Sequence, residues 1–343
     1  MIFLALATPG LADGQGCSAV LHPDPKGEST MKTQTTLKID VYTRVTNKII
    51  ETLETGVRPW LKPWSVEHAA GRISRPLRAN GIPYQGVNVL LLWGEAMEKG
   101  YVAPFWMTFK QAADLGAHVR KGEHGSLVVY ADTLHKTETD EKTGDEIERA
   151  IPFMKGYTVF NVEQIDGLPE HYYAKPAEPL AASERLEHAD VFFRNTSADI
   201  RTGGNRAFYS IHDDYIQMPP FEAFRDAESH AATLSHEAVH WTRHSSRLAR
   251  DFGRKQWGDE GYAKEELVAE LGSAFLCADL GITPDVRDDH AAYIASWLEV
   301  LKNDKRFIFT AASYAQKAAD YLHSLQPRNA QAVTMPETIA AAA

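Results

Sequence analysis

Ser235-His236-Glu237-Ala238-Val239-His240-Trp241 sets two histidines four residues apart, with a glutamate directly after the first. The run around it, from Phe221 to about His244, reads as helix and opens just after Pro219-Pro220. On a helix, positions i and i+4 share a face, so His236 and His240 can both point at one ion. Two neutral imidazoles suit zinc, with manganese left open as the alternative ion. A catalytic site of this type needs a third protein ligand and an open position, and Glu237 beside the first ligand is the candidate general base. Two histidines and a glutamate also fall together by chance on amphipathic helices, so the weight rests on the residues downstream.

After glycines at 253, 258 and 261, a second helical run spans Tyr262 to Cys277. Leu267, Leu271, Ala274 and Phe275 form its apolar stripe at helical spacing. Packing that stripe on the first helix would carry Glu266 toward the histidines, with Glu265 a rival one residue away. Glu266-x-x-Ala-Glu270 resembles the Glu-x-x-(Ser/Ala)-Asp segment of gluzincin metallopeptidases. The resemblance implies that Glu266 is the third metal ligand and that Glu270 hydrogen-bonds a ligating histidine from behind. A third-histidine alternative fits worse, because the metzincin arrangement needs a histidine six residues after His240 and Ser246 stands there. His244 lies a turn beyond His240 and reads as a cation at the helix C-terminus.

With 343 residues, 44% of them hydrophobic and 24% charged, the chain is long enough for two globular domains. No apolar run is long enough to span a bilayer, so no membrane partner is expected. Two cysteines, Cys17 and Cys277, cannot form a disulfide framework, which fits a reducing cytoplasm. Within a net charge of −10, residues 32–130 carry 13 Lys and Arg against 8 Asp and Glu. A polyanion would therefore meet this half. Residues 1–31 open on a short apolar run without the basic flank of a secretory signal and read as a disordered or spurious extension before Met31.

The first domain is expected over 32–170. Its aromatic and basic residues alternate in Arg58-Pro-Trp60-Leu-Lys62-Pro-Trp64, then Arg72, Arg75 and Arg78, then Tyr84 and Asn88, and later Trp106 and Lys110. Rings stack on bases while cations follow phosphates, so this composition suits single-stranded DNA. Trp60, Lys62, Trp64, Arg75, Arg78, Tyr84, Asn88, Trp106 and Lys110 are the candidate contacts, with Trp60 and Trp64 expected at the surface. Trp93 and Phe109 sit in apolar periodic runs and are expected in the core. Strands are expected at Ser126–Tyr130 and Lys155–Asn161 around a charged insert, and a Pro-rich linker at 171–182. The second domain is expected over 183–326, with strands near Ala207–Ile211 and Asp214–Met218 before the metal helix, and a tail over 327–343.

Four motifs together, Trp60-x-Lys62-Pro63-Trp64, Asn80-Gly-x-Pro83-Tyr84-x-Gly86-x-Asn88, Trp106-x-Thr108-Phe109-x-Gln111 and Tyr157-Thr-Val-Phe-Asn-Val-Glu-Gln-Ile-Asp-Gly-Leu-Pro169, resemble the N-terminal domain of ArdC-type antirestriction proteins, also found in TraC-type plasmid primases. Ser210-x-x-Asp213, Met218-Pro-Pro220, His236-Glu-x-x-His240-Trp-Thr and the Glu265-Glu266 helix are similar to that family's zincin-like metallopeptidase domain. The resemblance runs from about residue 35 to 325. The order of helices and few strands reads as α+β in both domains, and the resemblance implies a cytoplasmic, plasmid- or mobile-element-encoded protein that binds single-stranded DNA and shields conjugated DNA from host restriction. One departure is Arg243, where the family pattern has glycine after His-Trp-Thr. A second function class is an active zinc peptidase that cleaves a host defence protein, with DNA binding as its targeting device. Tyr209, Tyr262 and His290 are candidate oxyanion donors, and sequence does not choose among them.

Overall fold

A computed structural model describes residues 40–56, 58–60, 74–139, 146–173, 182–253, 260–283 and 290–327. The expected extension at 1–31 lies outside them, as do Lys62, Trp64, Arg72, and most of the expected linker and tail.

The first half begins with α1 (Val41–Glu54), whose N-cap Asp40 accepts from the Thr43 amide and whose buried face is Val45, Ile49, Ile50 and Leu53. Helix α2 (Val87–Lys99) is nearly all apolar in its first two turns and buries Val89 to Trp93. Around it lie β1 (Leu77–Arg78), β2 (Phe105–Met107), the short α3 (Phe109–Asp114), β3 (His118–Val119), β4 (Ser126–Thr139), β5 (Glu146–Asn161) and β6 (Ile165–Asp166). One sheet runs β1-β2-β5-β4, and β3 pairs with β6. The β4–β5 hairpin stays in register from Ser126↔Val159 to Thr139↔Glu146, so pairing continues through much of the charged stretch that sequence reads as an insert.

Motif letters in this half largely build turns and caps. Thr108 and Gln111 form a reciprocal capping box on α3, and Asn161 with Gln164 does the same for a single turn after β5. Gly81 and Gly86 take positive φ in the turn that leads into α2. Asn88 donates to the Val129 carbonyl and accepts from the Val129 amide, both at 2.8 Å, clamping α2 to β4.

The second half opens with α4 (Ala182–Asn195) and a small sheet ordered β7-β9-β8, from β7 (Asp199–Thr202), β8 (Phe208–Ser210) and β9 (Tyr215–Met218). Sequence reading anticipates β8 and β9 but not β7, a four-residue strand that is mostly exposed and carries no alternating pattern. Helices α5 (Ala227–Trp241), α6 (Glu260–Leu280), α7 (His290–Asn303) and α8 (Phe307–Ser324) complete it. Helix α5 starts later than expected because Asp226 is its N-cap, and Phe221–Ala223 forms a separate single turn.

One buried cluster takes in both halves, from Val45 and Trp60 to Phe275, Trp297 and Leu322. Trp93 meets Phe275 edge-on at 6.0 Å, and Trp60 meets Trp297 at 5.8 Å. Ion pairs cross at the same places. Arg75 grips Asp279 through two N–H···O contacts of 2.8 and 2.9 Å, and Arg58 donates to Glu270 at 3.4 Å. Among the described residues no helix is long and apolar enough to cross a membrane.

Candidate metal centre

Helix α5 delivers its chemistry from a buried position. Asp226 accepts from the Ser229 amide and hydroxyl, bonds that hold its carboxyl down at about 2. From Ala231 to Trp241 every side chain is buried, with small residues on the packing side. The neighbour is α6, and the approach depends on Gly272. A Cβ there would lie 2.7 Å from a methyl of Val239, inside any real contact. The glycine brings two helices together that both carry metal-ligand chemistry on their facing sides.

His236 Nε2 and His240 Nε2 lie 3.2 Å apart. Glu266 from α6 closes the triangle, its two oxygens 3.4 Å from His240 Nε2 and 3.5 Å from His236 Nε2. A tetrahedral ion with ligand atoms about 2.0–2.1 Å away requires donor–donor separations of about 3.3–3.4 Å. The residues present therefore fit a divalent ion of that class. Glu237, also buried, directly follows His236 on the same helix. Burial opposes charge on His240, but Glu266 and Glu265 override it and push the ring up to about 10. Burial would likewise raise Glu266, yet the two imidazoles hold it low.

The rival carboxylate has its own task. Glu265 Oε1 lies 3.1 Å from His240 Nδ1, behind the ligand triangle. Burial would raise Glu265 as well, but two N–H groups of Arg250 and the His240 ring keep it at about 2. Resemblance placed the supporting carboxylate at Glu270. The structure puts Glu265 on His240 and brings Arg58 to Glu270. Sequence reading misses Arg250, whose only signal would have been an arginine between two helices already marked for chemistry. Among the oxyanion candidates, Tyr209 donates to Asp214 at 2.8 Å and is also held by Arg247. Tyr262 is hydrogen-bonded to Tyr293 at 2.9 Å and lies against Glu266. The His290 side chain falls outside the described residues. Helix α5 ends at Trp241, and Arg243, standing where glycine was expected, is not among the residues of positive φ, so its side chain strains no backbone. His244 bonds Ser246 and stands apart from the triangle.

The expected DNA contacts fare differently. Trp60 is fully buried against Trp297, which corrects its expected exposure. Trp106 is 1% exposed in β2, and Tyr84 is buried beneath Arg78. Arg75 is committed to Asp279 and Gln316, and Asn88 to the β4 backbone. None of these five offers a free face to a base or phosphate. Arg78 and Lys110 are exposed, Lys110 beside Asp114. Phe109, expected in the core, is 61% exposed at the first position of α3, while Trp93 is buried as expected. Exposed rings do occur on the β4–β5 hairpin. Tyr130 lies 6.1 Å from Phe153 and 6.3 Å from Tyr157, and Lys155 Nζ is 5.3 Å from the Phe153 ring.

A histidine pair on one helix, a glutamate on the next and a small sheet before them define a zincin-like metallopeptidase domain, and the model of that family matches residues 187–314. A second model, the N-terminal domain of anti-restriction factor ArdC, matches 39–160. The crystal structure of the antirestriction ArdC protein from plasmid R388 in metal-free form is 50% identical, with a TM-score of 0.70 over 83% of this chain and 97% of that one. The Mn(II)-bound structure of that protein is 48% identical at a TM-score of 0.68, covering 83% and 98%. An uncharacterized protein of Sinorhizobium fredii, y4eC, is 44% identical over 293 residues, 84% of this chain and 92% of the relative. The chain belongs to the ArdC antirestriction family. It is also 38% identical to DNA primase TraC of Escherichia coli over 320 residues, yet spans only 29% of that primase.

Proposed function

We propose that this chain is a cytoplasmic antirestriction protein that binds single-stranded DNA and protects incoming conjugated plasmid DNA. Its second half would bind one divalent ion, zinc or manganese, through His236, His240 and Glu266. The observation that carries the metal reading is the convergence of those three donor groups, all within 4.8 Å of one another on two helices. The Mn(II)-bound ArdC structure supports it. A bound ion would supply Lewis acidity toward a carbonyl and an attacking water. Glu237, buried and one residue after His236, would be the group that accepts the proton of that water. Membership of the ArdC family supports the DNA reading, and Tyr130, Phe153, Tyr157 and Lys155 offer rings beside a cation for bases to stack on.

Peptide hydrolysis of a host protein is a second reading, favoured by the complete set of ligands and base. Conjugative transfer of a plasmid into a restricting host separates the two. Full protection by a Glu237→Gln protein supports a DNA shield whose peptidase chemistry is secondary. Lost protection with single-stranded DNA binding retained would make proteolysis the mechanism.

A further inference from the structure

We propose that Arg250 and Glu265 are a positioning pair for His240, fixing the ring so that Nδ1 carries its proton and Nε2 faces the other two ligands. The inference rests on the metal-site reading above and concerns two residues outside the ligand set.

Arg250 has no exposed side-chain surface, and Glu265 almost none. Arg250 Nε donates to Glu265 Oε2 at 2.8 Å and Nη2 to Oε1 at 2.7 Å. The same guanidinium reaches α5, where Nη2 meets the Val239 carbonyl at 3.0 Å and Nη1 meets Thr242 Oγ1 at 3.2 Å. One arginine thus ties the last turn of α5 to the first turns of α6. Glu265 Oε1 accepts from Arg250 and also lies 3.1 Å from His240 Nδ1. A carboxylate has no proton to give, so the bond to His240 forms only when Nδ1 is the donor. That leaves Nε2, the atom 3.2 Å from His236 Nε2, as the ligating nitrogen.

Burying an arginine–glutamate pair costs desolvation that its mutual attraction does not reliably recover, and an apolar pair of similar volume is often as stable. A pair kept at this depth and aimed at a ligand therefore points beyond stability. The planar fork matters as well. It fixes both carboxylate oxygens at once, which a lysine ammonium cannot do.

The test uses the full chain and zinc. Wild type and the Glu265→Gln, Arg250→Lys and Arg250→Met variants are titrated with zinc against a chromophoric chelator, with circular dichroism of the metal-free proteins as the folding control. In Glu265→Gln one of the two oxygens becomes an NH2 group facing the Arg250 fork, which breaks the two-oxygen grip and leaves Nδ1 at best a neutral acceptor. Zinc affinity should fall about 10–100-fold in Glu265→Gln and Arg250→Met, with partial recovery in Arg250→Lys. A folded Glu265→Gln protein that binds zinc within about twofold of wild type would overturn the proposal. Histidine-selective nitrogen-15 spectra of zinc-loaded wild type give a reading that needs no variant. They should show His240 protonated at Nδ1 and bound through Nε2, and the opposite assignment overturns the inference. Absence of tight zinc binding by wild type would instead sink the metal-site reading itself.

Discussion

The helix pair α5–α6 and the β4–β5 hairpin treat polar and apolar groups in opposite ways. Between the helices, histidines and carboxylates are buried and satisfied by one another. Along the hairpin, rings stand in water, with Tyr130 48% and Tyr157 44% exposed. A small ion demands donors fixed to a few tenths of an ångström, which only packed helices supply. A flexible polymer demands area and tolerance, which exposed rings on a projecting hairpin can give. The two regions should therefore answer to different perturbations.

The largest expected separation comes from Glu237→Gln. It keeps shape and removes the proposed base, so any peptide hydrolysis should drop by about 10²–10⁴-fold with zinc content and single-stranded DNA affinity unchanged. Turnover of a casein-type substrate beside oligonucleotide anisotropy reads both, and loss of DNA binding in this variant would break the contrast. Gly272→Ala should come next. Its methyl would press on Val239, a short, buried side chain that cannot swing away. A loss of about 1–3 kcal/mol in denaturant unfolding, with weaker zinc binding, is expected despite the better helix propensity of alanine.

On the hairpin, Tyr130→Ala and Tyr157→Ala should each weaken single-stranded DNA binding by about 1–3 kcal/mol, more visibly at higher salt as the phosphate contribution fades. Zinc affinity should not move. Equal binding of duplex and single strand would show that the rings are not stacking platforms. The smallest mutational effect is expected from Asp226→Ala, about 1 kcal/mol for a lost N-cap.

Acidity sharpens the contrast further. Bonds from Ser229 lower the Asp226 carboxyl to about 2, so its contribution is present above its unfolded value near 4 and lost as pH falls toward 2. His240 behaves in reverse. Burial works against its charge, but the carboxylates raise it to about 10 in the metal-free protein. That stabilisation is complete below the unfolded value of about 6.5 and lost as pH rises through about 10. Melting of the metal-free protein across pH 6.5 to 10 should show the decline, and a flat profile would contradict the buried triad.

These two regions also differ in how far their sequence disclosed them. His236 and His240 are tied by the helical period, and a local rule carried them to one face. Glu266 needed only that two amphipathic helices pack on each other. The tasks of Glu265 and Arg250 depend on which rotamer and which turn reach the site, and no period encodes that. In the first half, Trp60 and Trp106 stand out by composition, and composition does not say which side of a backbone faces the core. Trp60 falls beside Arg58 and Pro59, a polar context in sequence, but it packs on Trp297 from the other half. Thr108, Gln111, Asn161 and Gln164 are motif letters because they close capping boxes, which explains their spacing without any ligand.

Because Trp60, Trp93 and Arg75 are seated on α6, α7 and α8, a protease that cut the chain between the halves would release nothing. The nicked protein would run as two bands under denaturing conditions and as a single particle otherwise. Either piece expressed without the other would present tryptophan and unpaired arginine to water and would be prone to aggregate. For this chain the heritable unit is the pair of halves, and a recombination that exchanged one would have to bring its matching face along.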